Sequence, residues 1–416
     1  MFTKRISPFT CIVICLLVCA VSCVAVASIM STETKKSVND ERLEGSKYNE
    51  YGSLIDAIAD NDERYLKLTQ MFSMVEAYYV HGYENDAVWE EIYRALARSL
   101  ADEYSQYFTA AEYESLLDSS DGNFVGIGVH ASYDVDTEGV YIFGVMPGSP
   151  AEKAGMKKGD IIIAAEGIEA SDSTYYDLLD AIPGEAGTDV TVTLKRGEEE
   201  LTLTMTRAAV ASENVIYEKL GNGVAHIRIL SFADTGVSEE FSKKIAQAQA
   251  DGCDKFIYDV RNNTGGSLDE ICAILDVLLP KGPIINIVDK NGTVQTIESD
   301  ESFLDVKSVV LCNELTASAA ELFTAALRDY ELAETVGVTT FGKGTMQTTR
   351  LLPDGSALKL STAFYNPPSN VSYDKIGITP DHEIALPEHW VNRFFKMTLE
   401  DDVQLQKALE LLVPTE

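Results

Sequence analysis

Ser318 and Lys343 stand 25 residues apart in segments suited to acyl-transfer chemistry. A serine hydroxyl is a poor nucleophile until a neighbouring base takes its proton. Lysine acts as that base only when neutral, and an ordinary pKa of about 10.4 makes the neutral form scarce at pH 7. Burial lowers a lysine pKa. The residues around Lys343 suit such burial: Phe341 and Met346 are apolar, and Gly342 and Gly344 allow close approach. Residues 338–342 and 344–347 carry no carboxylate to hold the ammonium charged. Ser–Lys pairs are a recognised variant of the Ser-His-Asp arrangement. Taken singly, Ser318 reads equally as a helix N-cap and Lys343 as a solvated lysine.

The elements around these residues supply the positions. Lys255–Val260 and Ser308–Cys312 read as buried strands, each running through a turn into a helix, at 268–279 and 318–330. Such alternation predicts an α/β core with its chemistry at the carboxyl ends of the strands. Ser318 then opens a helix, and its amide and that of Ala319 lie at the positive end of the helix dipole, where a developing oxyanion is stabilised. Residues 334–341 and 357–365 read as further strands, and 402–412 as a short amphipathic helix. Upstream, residues 53–116 carry apolar side chains at helical spacing, among them Leu66, Met71, Met74 and Tyr78.

With 416 residues the chain is too long for one core and suggests two to three domains. The formal net charge of −33 argues against nucleic acid as a partner. Lys4 and Arg5 precede an apolar run over residues 11–30, long enough to span a bilayer, which predicts that the remainder lies outside the cytoplasm. Ala25-Val26-Ala27 has the form of a signal-peptidase site, so a cleaved signal stands beside an anchor. Residues 1–10 would be cytoplasmic and 31–52 a stalk. Four of the seven cysteines lie in the apolar run. Cys253, Cys272 and Cys312 read as small buried hydrophobes, not as a disulfide framework.

Three segments together carry a resemblance: Thr316-Ala317-Ser318-Ala319-Ala320-Glu321, Gly342-Lys343-Gly344-Thr345-Met346-Gln347 and Arg261-Asn262-Asn263-Thr264-Gly265-Gly266. In this order they resemble the serine–lysine core of the carboxyl-terminal processing peptidases, the tail-specific proteases of peptidase family S41. The resemblance runs over residues 215–385 and ends near Gly377-Ile378-Thr379-Pro380-Asp381. It implies a ClpP/crotonase-like α/β protease core over 209–390, with Ser318 as nucleophile and Lys343 as base. Gln347 would orient the lysine, and Gly265 or Gly266 would give the second oxyanion amide beside Ala319. Asp102-Glu103-Tyr104-Ser105-Gln106-Tyr107 is similar to the segment that precedes the family's PDZ domain, with Glu103 where proline is usual. Thr264, Leu315 and Phe364 also depart from the pattern, replacing proline, glycine and arginine. None of them removes a proposed catalytic atom.

Between these parts, Gly126-Ile127-Gly128-Val129 opens a strand-rich stretch. Pro147-Gly148-Ser149-Pro150-Ala151 and Lys158-Gly159-Asp160-Ile161-Ile162 follow, then a helix-like 175–182 and an alternating strand at 190–194. The order resembles a PDZ domain over 117–208. Gly126 and Gly128 would leave amides open to a carboxylate, and the strand after them would offer an edge to a peptide.

Three other patterns are set aside. Gly337 to Lys343 nearly spells a P-loop, but residue 344 is glycine and no helix-like run follows. Ser372-Tyr373-Asp374-Lys375 has a Ser-x-x-Lys form but falls in a loop after Pro367-Pro368. The five histidines are scattered and form no metal motif, and no cofactor is implied.

The expectation is a multidomain α+β chain: a helical N-terminal region (53–116), a PDZ β-sandwich-like domain, the protease core and a helical tail (391–416). The function expected is an extracytoplasmic serine endopeptidase acting on polypeptides with a free or apolar carboxyl terminus. The PDZ domain would tether substrate or gate the site in response to an activating protein or peptide. Family members often assemble through terminal helices, which makes 53–116 and 400–416 candidate homodimer contacts. A catalytically impaired PDZ adaptor is the rival reading.

Overall fold

The computed structural model describes residues 62–120, 124–210, 213–301 and 303–413. The cytoplasmic N-terminus, apolar segment and stalk expected over residues 1–52 lie outside the described residues. Among the described residues no helix is long and apolar enough to cross a membrane. The chain divides into two units between Glu84 and Asn85.

In the first unit the described element is helix α1, Asp62–Tyr78. The residues that suggested a core face there are exposed: Leu66, Met71, Met74 and Tyr78 are 55–84% accessible.

The second unit opens with α2 (Asn85–Arg98), strand β1 (Gln106–Phe108) and α3 (Ala110–Ser120). A PDZ-like module follows: β2 (Phe124–Gly126), β3 (Val129–Asp134), β4 (Gly139–Val145), α4 (Pro150–Lys153), β5 (Ile161–Ala165), β6 (Ile168–Glu169), α5 (Tyr175–Ala181), β7 (Asp189–Arg196), β8 (Glu199–Thr206) and β9 (Ala208–Val210). Its main sheet has the order β3-β4-β5-β7-β8, leaving β3 at the edge. The alternation of β7 explains its seat, since Val190, Val192 and Leu194 turn inward onto Ile142, Ile162 and Leu178.

Beyond it come β10 (Val215–Lys219), β11 (Val224–Ile229), α6 (Val237–Ala250), β12 (Lys255–Asp259), α7 (Leu268–Leu278), β13 (Gly282–Asp289), β14 (Val294–Ser299), β15 (Lys307–Cys312), α8 (Ala319–Asp329), β16 (Ala333–Gly337), β17 (Thr345–Leu351), β18 (Ala357–Asn366), β19 (His382–Glu383), α9 (Glu388–Val391) and α10 (Val403–Leu412). Two sheets form. In one, β11, β12, β15, β16 and β19 run parallel, with β10 antiparallel at its edge. The other is antiparallel, in the order β1-β18-β13-β14, with β17 also on β18. Helices α6, α7 and α8 cover the parallel sheet, and Phe241, Ile274 and Phe323 pack against Phe256 and Tyr258. This explains the unbroken apolar runs of β12 and β15.

Helix α10 covers the opposite face. Leu405, Ala408 and Leu412 pack against Val224, Ile257, Val309 and Val336. The apolar stripe read as a candidate dimer contact in this tail is therefore buried in the unit's own core. The strand expected over 334–341 ends at Gly337, because the chain leaves the sheet there to cross the site. Cys253 and Cys312 are buried thiols and Cys272 is half-buried; all three are free.

Candidate active site

Ser318 stands at the N-cap of α8 with φ 59° and ψ −120°, a backbone conformation that costs a non-glycine residue about 1–3 kcal/mol. The loops after β12 and β15 hold it there. Asn262 and Asn313 exchange hydrogen bonds, Asn262 N–H to Asn313 Oδ1 and Asn313 Nδ2 to Asn262 Oδ1, both at 2.9 Å. Thr316 Oγ1 donates to the Val260 carbonyl at 2.8 Å, and Ala317 N–H donates to the Asn263 carbonyl at 2.9 Å. The two loops thus close on each other at the carboxyl ends of adjacent parallel strands.

The glycine pair is required by close approach. A Cβ on Gly265 would lie 2.7 Å from Ser318 Cβ and 2.9 Å from the Ala319 nitrogen. On Gly266, at φ 151°, it would lie 2.1 Å from the Phe232 carbonyl carbon. Gly265 N–H is taken by Asn263 Oδ1 at 2.8 Å, and Ser318 N–H by Glu321 Oε2 at 2.9 Å. That leaves Gly266 N–H and Ala319 N–H of the expected oxyanion donors. No hydrogen bond among the described residues engages either amide.

Glu321 is fully buried and ties together the segments that carry Ser318 and Lys343. Its carboxylate accepts from Ser318 N–H, from Lys343 N–H at 2.8 Å, and from Gly342 N–H and Thr340 Oγ1, both at 2.6 Å. Burial pushes its pKa up, against the downward pull of these four bonds. The Ser-x-x-Glu spacing of a capping box was present in the sequence and signals the link to Ser318. The links to residues 340–343 had no local signal.

The loop carrying Lys343 is braced from its other side by the Ser372–Lys375 segment, the one that imitated a penicillin-binding motif. Asp374 Oδ1 accepts Gly344 N–H at 3.0 Å, and Gly342 accepts Lys375 N–H at 2.7 Å. A Cβ on Gly342, at φ 91°, would lie 2.9 Å from the Gly377 nitrogen, so the crossing loop needs glycine there.

The Lys343 side chain is half-buried. Its ammonium lies 4.4 Å from the centre of the Tyr104 ring. Burial lowers its pKa and the Lys359 ammonium lowers it further, while Asp102, Glu103 and Glu321 oppose. The absence of flanking carboxylates therefore does not describe its surroundings: the carboxylates come from distant segments. Phe341 is 50% exposed, so the burial expected from it comes instead from the segment around Tyr104. Ser105 fixes that segment: its Oγ donates to Asp102 Oδ2 at 2.5 Å and accepts Ser361 N–H at 3.1 Å.

Ser318 Oγ and Lys343 Nζ are not hydrogen-bonded to each other. Ser318 Oγ lies 2.9 Å from the Tyr365 hydroxyl, which is also 2.7 Å from the Lys343 carbonyl. Gln347 Nε2 donates to Ser361 Oγ at 3.0 Å and to Thr345 at 3.2 Å, and makes no hydrogen bond to Lys343. Even so, Ser318, Ala319, Gly265, Gly266, Lys343, Gln347 and Tyr365 line one cleft of about 460 Å³, with apolar Leu268, Ile271, Leu322 and Met346. The departures at Thr264, Leu315 and Phe364 are all exposed.

Behind the cleft lies a buried ionic cluster that sequence reading missed. Arg261 pairs with Asp259 at 2.8 and 2.9 Å and with Asp402 at 2.8 and 2.9 Å, and it donates to Gln404 Oε1 at 2.9 Å. Asp259 is also met by Arg228 at 3.2 Å and His226 at 3.1 Å. Arg261 and Arg228 hold the Asp259 carboxyl well below its ordinary range despite burial. Two arginines thus balance two aspartates, and Asp402, the N-cap of α10, joins the tail to the residue that starts the glycine loop.

In the PDZ-like module, Gly126 lies on β2 opposite Ala208, Ile127 is buried, and Val129 begins edge strand β3. Gly128, at φ 77°, is forced to be glycine by Ser149, whose Cβ would lie 2.4 Å from an added Cβ. Tyr133 of β3 meets Tyr175 of α5 edge-on at 4.8 Å, bridging the strand and helix that would flank a bound peptide. The module is clasped to the core. Phe143 stacks on Phe395 at 3.9 Å, and Arg393 and Lys396 pair with Asp136 and Asp134, each at 2.5 Å.

Comparison with known proteins gives the class, a serine peptidase. Residues 223–384 match the model of peptidase family S41, and residues 124–206 that of the PDZ domain. The chain is 31% identical over 386 residues to the carboxyl-terminal-processing protease of Picosynechococcus sp., covering 87% of this chain and 92% of that one. It is 32% identical over 327 residues to the "Probable CtpA-like serine protease" of Staphylococcus aureus strain N315, covering 78% of this chain; it spans only 65% of that relative's length. Among solved structures, the photosystem II D1 C-terminal processing protease is similar at a TM-score of 0.50 and 26% identity, over 82% of this chain and 92% of that one. The chain belongs to the carboxyl-terminal-processing proteases of peptidase family S41, with a PDZ domain and a multidomain α+β fold.

Proposed function

We propose that the chain is an extracytoplasmic serine endopeptidase that cleaves polypeptides by a Ser318–Lys343 mechanism. One observation carries the reading. A strained serine at a helix N-terminus shares a cleft with a lysine whose pKa burial lowers and with two amides that have no other partner. Ser318 Oγ attacks the peptide carbonyl carbon while Lys343 Nζ takes its proton. Gly266 N–H and Ala319 N–H receive the oxyanion. Collapse expels the amine, which takes the proton back from Lys343 and leaves an ester on Ser318. Lys343 then removes a proton from water, which attacks the ester, and collapse frees the acid as Ser318 Oγ takes that proton back from Lys343. Gln347 positions Lys343 once the lysine turns to Ser318.

The PDZ domain receives a free or apolar carboxyl terminus along Gly126–Val129 and edge strand β3. Whether it tethers the substrate or gates the site, it acts through polypeptide binding, and an activating protein or peptide would use the same groove. The apolar segment over residues 11–30 serves as anchor or cleaved signal and places the catalytic unit outside a bacterial cell. The exposed apolar side chains of α1 support this helix as a homodimer contact.

The test incubates the full chain with casein, with and without a peptide ending in an apolar residue, beside Ser318→Ala and Lys343→Ala. Cleavage by the parent alone supports the dyad, and stimulation by the peptide supports a gate. Equal cleavage by either variant would remove the assignment. No cleavage by the parent under any of these conditions would favour the impaired-adaptor reading.

A further inference from the structure

Each member of the Ser–Lys pair is held by a tyrosine instead of by its partner. Lys343 Nζ sits over the Tyr104 ring at 4.4 Å, within the range of about 6 Å in which a cation is attracted to a ring face. The attraction acts on an ammonium and not on a neutral amine, so this contact favours the protonated lysine, the form that is no base. Ser318 Oγ meets the Tyr365 hydroxyl at 2.9 Å. Tyr365 has one proton, and the Lys343 carbonyl is the nearer acceptor at 2.7 Å. Tyr365 is placed to donate to both acceptors, so the hydrogen-bond partner of Ser318 Oγ is this phenol and not the lysine.

Both tyrosines are fixed by groups outside the dyad. Asp102 Oδ1 accepts Tyr104 N–H at 3.1 Å, and β1 pairs with β18 through Gln106–Lys359 and its two neighbours. Tyr365 belongs to β18 and is buried. The same strand thus carries one tyrosine and seats the segment that carries the other. Burial pushes the Tyr104 phenol up to about 12, so its ring stays a neutral face throughout the working pH range.

We propose that Tyr104 and Tyr365 hold base and nucleophile apart in a resting site, and that Tyr104 is a positioning residue that Lys343 must leave before it can deprotonate Ser318. The proposal rests on the Ser–Lys reading. It separates two costs of activation: loss of the ring contact at Lys343, and loss of the hydrogen bond that Tyr365 donates to Ser318 Oγ.

The experiment titrates Lys343 in the full chain, labelled with ¹³C at the lysine ε position, for the parent, Tyr104→Leu and Tyr104→Phe. The Lys343 signal is assigned by its loss in Lys343→Arg. Removing the ring face should move the Lys343 titration to lower pH in Tyr104→Leu. Tyr104→Phe keeps the face and should titrate with the parent. The acid limb of kcat/KM should move with it, so that Tyr104→Leu cleaves about two- to five-fold faster than the parent at a pH below the limb. A Tyr104→Leu titration that coincides with the parent overturns the proposal, as does a Tyr104→Phe shift equal to that of Tyr104→Leu. Tyr104→Met replaces Tyr104→Leu if the latter does not fold. Because the titration needs no turnover, its outcome is separate from the dyad reading, which fails instead if Ser318→Ala or Lys343→Ala still cleaves.

Discussion

The wall of the cleft that carries Ser318 and the wall that carries Lys343 come from different sheets and are held differently. Ser318 stands where a parallel strand, β15, turns into a nearly all-buried helix. Lys343 stands on a loop that feeds β17 of the antiparallel sheet. Both backbones are fixed: one carboxylate, Glu321, holds the amides of Ser318 and Lys343 together. The side chains are not. On the serine wall the amides of Gly266 and Ala319 are open, while Ser318 Oγ is bonded to Tyr365. On the lysine wall Lys343 lies on an aromatic ring and its expected orienting group, Gln347, is bonded elsewhere. In the proposed mechanism, the groups for charge stabilisation are therefore already in position, whereas those for proton transfer are not. In that mechanism, Lys343 must still be brought to Ser318.

Substitutions can break this comparison in order of expected effect. Ser318→Ala removes the nucleophile and should lower kcat by about 10⁶-fold, as in other serine peptidases, with the unfolding midpoint in urea nearly unchanged. An unchanged rate would place the chemistry elsewhere. Arg261→Met should act the opposite way, on stability first. It leaves buried Asp402 without its cation and Asp259 with Arg228 alone of its two arginines, which costs about 3–5 kcal/mol in urea unfolding. A loss below about 1 kcal/mol would mean the cluster does not hold the tail to the glycine loop.

Glu321→Gln keeps the shape but offers one acceptor oxygen where four donors converge, and it turns an amide group toward other donors. We expect a loss of about 1–3 kcal/mol. Activity should fall further than that loss explains by unfolding alone, because the two walls lose their common anchor. Activity that tracks the folded fraction would show that Glu321 serves stability only.

The pH profile gives a smaller effect. A lysine works as a base only when neutral, so in the proposed mechanism the rate rises as pH rises through the Lys343 pKa. Burial depresses that pKa, so the acid limb should fall below the ordinary lysine range near about 10.4. A limb at or above that range would contradict burial as the device that makes Lys343 a base. Smallest is Tyr365→Phe, which frees Ser318 Oγ and removes a bond to the Lys343 carbonyl. The two consequences oppose each other, so kcat should change less than about ten-fold. A much larger fall would give Tyr365 a place in the chemistry itself.

Much of the serine wall was legible in the sequence, because its parts are local. A buried strand, a turn and a helix in order locate Ser318, and the family resemblance singles out the glycine pair after the neighbouring strand. Which glycine amide remains open was not legible, since it depends on the Asn263 side chain turning back onto Gly265. The lysine wall was legible only as Lys343 itself. Tyr104, Asp374 and Tyr365 reach it through sheet pairing and loop crossing, and no periodicity or spacing encodes those contacts. The charge environment of Lys343 was misread for the same reason: residues 338–347 hold no carboxylate, whereas Asp102, Glu103 and Glu321 arrive from elsewhere. Arg261 was legible as part of a motif but not as the centre of an ion cluster, because Asp402 lies 141 residues away.

The central claim is that Ser318 becomes acylated with help from Lys343. The direct measurement is mass spectrometry of the full chain after brief exposure to a peptide p-nitrophenyl ester. Attack by Ser318 Oγ joins the acyl carbon to the serine and releases p-nitrophenolate. The account predicts an acyl mass on the fragment containing Ser318, absent from Ser318→Ala and formed far more slowly in Lys343→Ala. An acyl group on another residue, or equal labelling of the parent and both variants, would contradict it.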